Sequence, residues 1–140
     1  MIVVDTNVLS ELLAPTPDRA AMTAINDLLP SAYLTAVTVA EITEGAKRMP
    51  RGRGRALVEE QLSWIGRSFS ASVLPFTLRE ADDFARIRAE RYRVGHPIGV
   101  ADAMIAAICA AHGATLVTRN TRDFEGVGLE LINPWDVPTD

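Results

Sequence analysis

The chain has 140 residues, 48% hydrophobic and 23% charged, which suits one folded domain with a real core and excludes general disorder and a collagen-like fibre. A single cysteine, Cys109, excludes a scaffold stapled by internal disulfides. The net charge of −4 gives the whole molecule no attraction for nucleic acid, so any such affinity must be local.

The predicted elements follow in chain order. Ile2-Val3-Val4 is a short apolar run ending at Asp5 and reads as a buried strand. Thr6 or Asn7 can cap a short helix through Leu13, which Pro15 and Pro17 break. Asp18 to Leu29 reads as a second helix, with Ala21, Ile25, Leu28 and Leu29 on one side, and Pro30 ends it. Tyr33 to Val37 is a strand candidate, and Thr38 starts a helix running to about Met49. Pro50, Gly52 and Gly54 mark a basic turn, after which Ala56 to Phe69 is helical. Ser72 to Phe76 is a further strand. Thr77 to Val94 is a helix opened by a capping box, Thr77-Leu78-Arg79-Glu80. Gly99 to His112 is an apolar helix closed by Gly113. Ala114 to Thr118 and Leu129 to Ile132 are the last strands.

Apolar strands alternating with helices imply an α/β fold, a mostly parallel sheet covered on both faces, formed as one domain over residues 1–140. Asp5 and Glu11 interrupt the amino-terminal apolar run, so no signal peptide is indicated. The uncharged stretch Ala103–Thr118 is too short to span a bilayer. A cytoplasmic location away from membranes is the expectation.

In parallel sheets ligands bind beyond the carboxyl ends of the strands, and four acids fall at such places. Asp5 directly follows the first strand. Glu41 lies one turn into the helix after the second. Asp102 lies in the first turn of the helix opened by Gly99. Asp123, with Asn120, follows the strand that ends at Thr118. Each has a plain structural use: Asp5 and Asp102 at helix amino termini, Glu41 closing a capping box with Thr38, Asp123 in a turn. Together they point elsewhere. No lysine or histidine adjoins them in sequence to neutralise them, and carboxylates gathered in one pocket either take up protons or bind cations. Oxygen-only ligands select hard ions such as Mg²⁺ or Mn²⁺. Zinc is disfavoured, because His96 and His112 are far apart and no cysteine pair exists.

Other chemistries have little support. No Gly-x-Ser-x-Gly elbow, Walker loop or Gly-x-Gly-x-x-Gly turn is present. The aromatic residues are too few for a base-stacking platform, and Trp64 and Trp135 read as core or dimer-surface residues. Of the 14 basic residues, all but Lys47 are arginine. Lys47, Arg48, Arg51, Arg53 and Arg55 form a group without an acid, and Arg86, Arg88, Arg91 and Arg93 form a second. Both are either solvated surface or phosphate contacts.

Four segments together resemble PIN domains, specifically the ribonuclease toxins of VapBC-type toxin–antitoxin pairs. They are Val4-Asp5-Thr6-Asn7-Val8, Thr38-Val39-Ala40-Glu41-Ile42-Thr43-Glu44-Gly45, Ala101-Asp102-Ala103-Met104-Ile105-Ala106-Ala107 and Thr118-Arg119-Asn120-Thr121-Arg122-Asp123-Phe124. Asn133-Pro134-Trp135 is similar to the end of a FitB-like member. The resemblance implies a three-layer α/β/α sandwich with a central mostly parallel sheet. It implies metal-assisted hydrolysis of RNA phosphodiester bonds, with Mg²⁺ or Mn²⁺ held by Asp5, Glu41, Asp102 and Asp123. Thr6, Asn120 and Thr118 would be accessory residues. The Lys47–Arg55 group would hold the RNA backbone through a sequence-independent, salt-sensitive contact. The implied partners are RNA, a second copy of the chain and a small antitoxin, with DNA met only through the antitoxin. Two other readings of an acidic pocket stay open from the residues: a phosphorylated receiver-like module, although the lysine expected after a late strand is absent, and a catalytically idle Mg²⁺-binding protein.

Overall fold

The computed structural model describes residues 1–69 and 72–136. Five strands, β1 (Ile2–Val4), β2 (Ala32–Thr35), β3 (Val73–Leu74), β4 (Thr115–Val117) and β5 (Leu131–Ile132), form one sheet in the order β3-β2-β1-β4-β5. Every pairing in it is parallel. The helices are α1 (Thr6–Leu13), α2 (Arg19–Leu28), α3 (Ala36–Arg48), α4 (Arg53–Ser68), α5 (Leu78–Arg93) and α6 (Val100–His112), with short 3₁₀ turns at Leu29–Ser31 and Thr121–Phe124.

Period-two alternation in the strands divides the core into two layers. Val3 and Leu116, paired across β1 and β4, face one way and pack with Ile87 of α5 and Ala103, Ala106 and Ala107 of α6. Val4 and Val117, the next pair, face the other way and meet Val8, Leu9, Ile25 and Ile65 from α1, α2 and α4. This is the three-layer α/β/α sandwich that the motifs imply. The small side chains of α6 let that helix lie close against the sheet, so Cys109 is fully buried and its thiol is pushed up to about 12, first by burial and then by the charge of Asp5. It is a core residue.

Several boundaries differ from the sequence reading, for local reasons. Of the caps the sequence offers for α1, Asp5 rather than Thr6 or Asn7 takes the place, its Oδ1 accepting from the Thr6 amide at 2.7 Å. α3 starts at Ala36 because Thr35 is its cap, with Oγ1 accepting from the Thr38 amide at 2.9 Å. The expected Thr38–Glu41 capping box therefore does not form. α4 starts three residues earlier than Ala56, which places Arg53 and Arg55 on a helix. The capping box at Thr77 and Glu80 does form, and α6 ends at Gly113 in the left-handed conformation, φ 60°.

The chain builds outward from β1 to β2 and β3, then crosses back to add β4 and β5 on the opposite side. The reversal lies between β1 and β4. Beyond the carboxyl ends of these two strands a crevice must open, since the flanking connections leave in opposite directions.

Candidate active site

Asp5 and Thr118 are the residues that follow β1 and β4, and both are buried at the crevice floor. The Asp5 amide donates to the Val117 carbonyl at 2.9 Å, extending the ladder one step and fixing the position of the side chain. Its Oδ2 accepts from Thr118 Oγ1 at 2.7 Å and from Asn7 Nδ2 at 3.2 Å. Asn7 Oδ1 in turn accepts from the Arg119 amide at 3.0 Å, and Thr118 Oγ1 accepts from the Asn120 amide at 3.1 Å. Residues at opposite ends of the chain are thus bonded around one carboxylate.

Glu41 reaches the same place from the middle of α3. Released from any capping role, its Oε1 accepts from Thr6 Oγ1 at 2.6 Å. Asp102 enters from the first turn of α6. Asp5, Thr6, Asn7, Ser10, Glu41, Asp102 and Asn120 line an open cavity of about 290 Å³. Larger hollows exist, such as one of about 480 Å³ lined by Glu90, Arg91, His96 and Arg122, but they mix acids with bases. The smaller one gathers three carboxylates with hydroxyls and amides and no basic side chain, so chemistry rather than size selects it.

The charges are visibly unneutralised. The Asp102 carboxyl is pushed up to about 6, chiefly by burial and then by the charges of Asp5, Asp123 and Glu41. Burial also raises Asp5, against the opposing hydrogen bonds from Thr118, Thr6 and Asn7, and Glu41 adds to the rise. Such a set welcomes a cation. Among the described residues no three His, Cys, Asp or Glu side chains stand close enough to ligate one ion directly. The all-oxygen donors therefore fit an ion that keeps several of its waters, as Mg²⁺ does when held by one or two carboxylates.

Residues 2–129 match the family model described as PIN domain. The chain belongs to the PIN-domain family. It is 41% identical over 138 residues to the VapC ribonuclease Y4jK of Sinorhizobium fredii, covering 97% of this chain and 99% of that protein. It is 36% identical over 137 residues to the toxin FitB of Neisseria gonorrhoeae, covering 96% and 99%. A solved structure of FitAB bound to the IR36 DNA fragment superposes with a TM-score of 0.86 at 33% identity, over 99% of both chains.

Within this PIN domain the residues singled out from sequence separate into groups. Asp5, Glu41 and Asp102 share the cavity with Thr6 and Asn120, and Thr118 lies beneath Asp5. Asp123 does not line it. It is exposed on the 3₁₀ turn and acts on Asp102 through its charge. The first basic group is partly neutralised locally: Arg48 pairs with Glu44 at 2.8 Å and Arg55 with Glu59 at 2.7 Å. Lys47 and Arg55 line a crevice between α3 and α4. The second group is not one surface. Arg86 and Arg93 pair with Asp83 and Glu90, Arg88 lies over the Phe84 ring, and Arg91 is buried.

Asn7 and Ser10 were not assigned to the site from sequence. Their signal was available: on the helix that opens beside Asp5, Ser10 stands at i+4 from Thr6 and i+3 from Asn7, so it neighbours both. Trp64 is an exposed side chain on α4 at the rim of an apolar groove, and Trp135 packs against the Val4 layer with the Arg119 guanidinium 4.9 Å from its ring centre. Asn133 Nδ2 also donates to the Arg119 carbonyl, at 3.4 Å. The Asn133-Pro134-Trp135 turn thereby braces the Thr118–Asn120 segment.

Proposed function

We propose that this chain is, as a single PIN-like domain over residues 1–140, a metal-dependent endoribonuclease that hydrolyses RNA phosphodiester bonds and serves as the toxin of a type II toxin–antitoxin pair. The observation that carries the reading is the convergence of Asp5, Glu41 and Asp102, from three separate elements, on one cavity free of basic side chains, in a chain 41% identical to a VapC ribonuclease. The ion would be Mg²⁺ or Mn²⁺, held by the Asp5, Glu41 and Asp102 group partly through the waters it keeps, with Asp123 contributing field more than contact. A hard divalent ion there would supply Lewis acidity toward the scissile phosphate.

The protein's own part is orientation and charge. Thr118, Asn7 and the Thr6 amide hold both oxygens of Asp5 in place, and the Thr6 hydroxyl aims Glu41, so two carboxylates arrive pre-organised. Asp102 has no hydrogen-bond donor on its carboxylate among the described residues, and burial first, then the neighbouring charges, push it up to about 6. Ions and protons therefore compete for it, and ion uptake releases a proton. Asn120 offers an uncharged amide at the rim, where another acid would only add repulsion.

Lys47, Arg51 and Arg53 are exposed and are the members of their group best placed to meet an RNA backbone, with Arg48 and Arg55 shared with their carboxylate partners. An apolar groove lined by Leu9, Leu12, Leu13, Trp64 and Phe69 suits a small antitoxin, and DNA would be met only through that partner. Exposed Tyr92, Val94 and Val100, around the turn from α5 to α6, suit a second copy of the chain. No helix among the described residues is long and apolar enough to cross a membrane, and the cytoplasm is the proposed location. Family membership favours nuclease over receiver-like or idle Mg²⁺-binding modules. Incubation of the purified chain with RNA and Mg²⁺ or Mn²⁺, beside an EDTA control, should give cleavage that Asp5→Asn and Asp102→Asn each abolish. Full cleavage by a folded double variant would overturn the reading.

A further inference from the structure

Arg91 is an anomaly for its residue type. It sits in the last turn of α5 with only 9% of its surface exposed, and among the described residues no carboxylate lies within ion-pair distance of it. Buried guanidinium groups ordinarily sit against a carboxylate. Here the charge is spent on backbone carbonyls. Nε donates to His96 O at 2.6 Å, and Nη1 donates to Asp123 O at 3.0 Å and Glu125 O at 2.7 Å.

Those carbonyls belong to two segments far apart in sequence, and each leads into the acidic cavity. The His96 segment, closed onto α5 by the bond from the His96 amide to Arg91 O at 3.0 Å, runs directly into Gly99, the N-cap of α6, and so to Asp102. The other is the 3₁₀ turn that follows Asn120 and carries Asp123. One rigid fork spans both. The charge of Asp123 acts against that of Asp102, and the fork ties the 3₁₀ turn to the His96 segment that leads into α6.

We infer that Arg91 is a positioning residue for the ion site: it sets the distance between the Asp102 and the Asn120–Asp123 segments and thereby the affinity for a divalent cation. The inference rests on the nuclease reading above and deepens it. A lysine at this position keeps the charge but is a point donor that cannot reach three carbonyls with fork geometry. Groups bonded directly to a metal's ligands typically change its affinity by roughly 10–100-fold, and Arg91, which acts one step further back through backbone carbonyls, is expected at the lower end.

The test is Mn²⁺ binding by calorimetry to the full wild-type chain and to Arg91→Lys, with circular dichroism as the fold control and cleavage kinetics in parallel. The expected result is binding weaker by roughly tenfold or more, a lower kcat at fixed Mn²⁺, and an unchanged KM for RNA. Equal Mn²⁺ affinity in a folded Arg91→Lys overturns the inference, whether or not its melting temperature falls. A raised KM with Mn²⁺ affinity kept also overturns it, since Arg91 would then serve RNA through the hollow it shares with Arg122. If the wild type itself takes up no Mn²⁺, the metal reading fails and the positioning role falls with it, a result distinct from the two before. Should Arg91→Lys not fold, the wild type decides. On Mg²⁺ titration the NMR signal of the Arg91 Nε–H should move with the same midpoint as the Asp102 and Asn120 amides. A signal that stays still refutes the coupling.

Discussion

Replacing Asp102 by asparagine should make the metal-free protein more stable while removing its activity. The native carboxyl titrates at about 6 rather than 3.8, with burial the largest cause and the Asp5, Asp123 and Glu41 charges following. A raised carboxyl pKa means that the folded state binds more protons than the unfolded chain between those two values. Stability therefore falls as pH rises through that window, and the cost of the charge is fully present above pH 6. The difference between the two pKa values corresponds to about 3 kcal/mol for a fully shielded charge. Asp102 is only about half buried, so solvent screening reduces this to roughly 1–2 kcal/mol. Asn keeps the shape and removes the charge. Urea unfolding in EDTA, followed by fluorescence of Trp64 and Trp135, should show Asp102→Asn more stable than wild type by roughly 1–2 kcal/mol at pH 7.5. The difference should shrink to about a few tenths of a kcal/mol at pH 4, where the native carboxyl is already protonated. Saturating Mn²⁺ should reverse the order by stabilising only the wild type. A variant less stable than wild type at pH 7.5 without metal, or a difference that ignores pH, would refute the argument that unneutralised charge strains this site.

The same competition predicts that Mn²⁺ affinity, read by calorimetry, declines as pH drops below about 6, and a flat profile from pH 5 to 8 would contradict it. Thr6→Val removes the donor to Glu41 and should cost about 1 kcal/mol of stability while lowering kcat at least tenfold; unchanged turnover would show that Glu41 needs no aiming. Asp123→Asn should reduce cleavage by only a few-fold, far less than Asp5→Asn, because the side chain lies outside the cavity; comparable losses would place it among the ion's holders. RNA binding to an Asp5→Asn chain, measured by fluorescence anisotropy, should weaken with rising salt, and Arg51→Ala with Arg53→Ala should flatten that slope; a slope unaffected by both would remove the basic segment from the RNA path.

Composition and periodicity by themselves settled a good deal here. The apolar runs of β1, β2 and β4, closed by Asp5, by Thr35 at the last position of β2 and by Thr118, announced a parallel sheet with its polar ends on one side, because a strand buried on both faces is mostly apolar and places its polar groups at or beyond its end. Asp5, Glu41 and Asp102 were legible for the same reason, as acids just past strands or in the opening turns of helices. Local pattern could not choose between rival hydrogen bonds. Thr38 and Glu41 have the spacing of a capping box, yet Thr35 takes the Thr38 amide and frees Glu41 for Thr6, a residue 35 positions away. Nor could it tell a solvated arginine from a structural one: Arg91 lies in the same charged stretch as Arg88 and Arg93, and only the packing of the 3₁₀ turn against the end of α5 turns it inward. Asn120 and Asp123 sit three residues apart, and the turn decides that the amide lines the cavity while the acid stays exposed beside it and acts on Asp102 through its charge. Burial pattern is written along the chain because each residue carries its own hydrophobicity. Which donor meets which acceptor depends on distances between segments, and those exist only once the sheet has brought the two ends of the chain side by side.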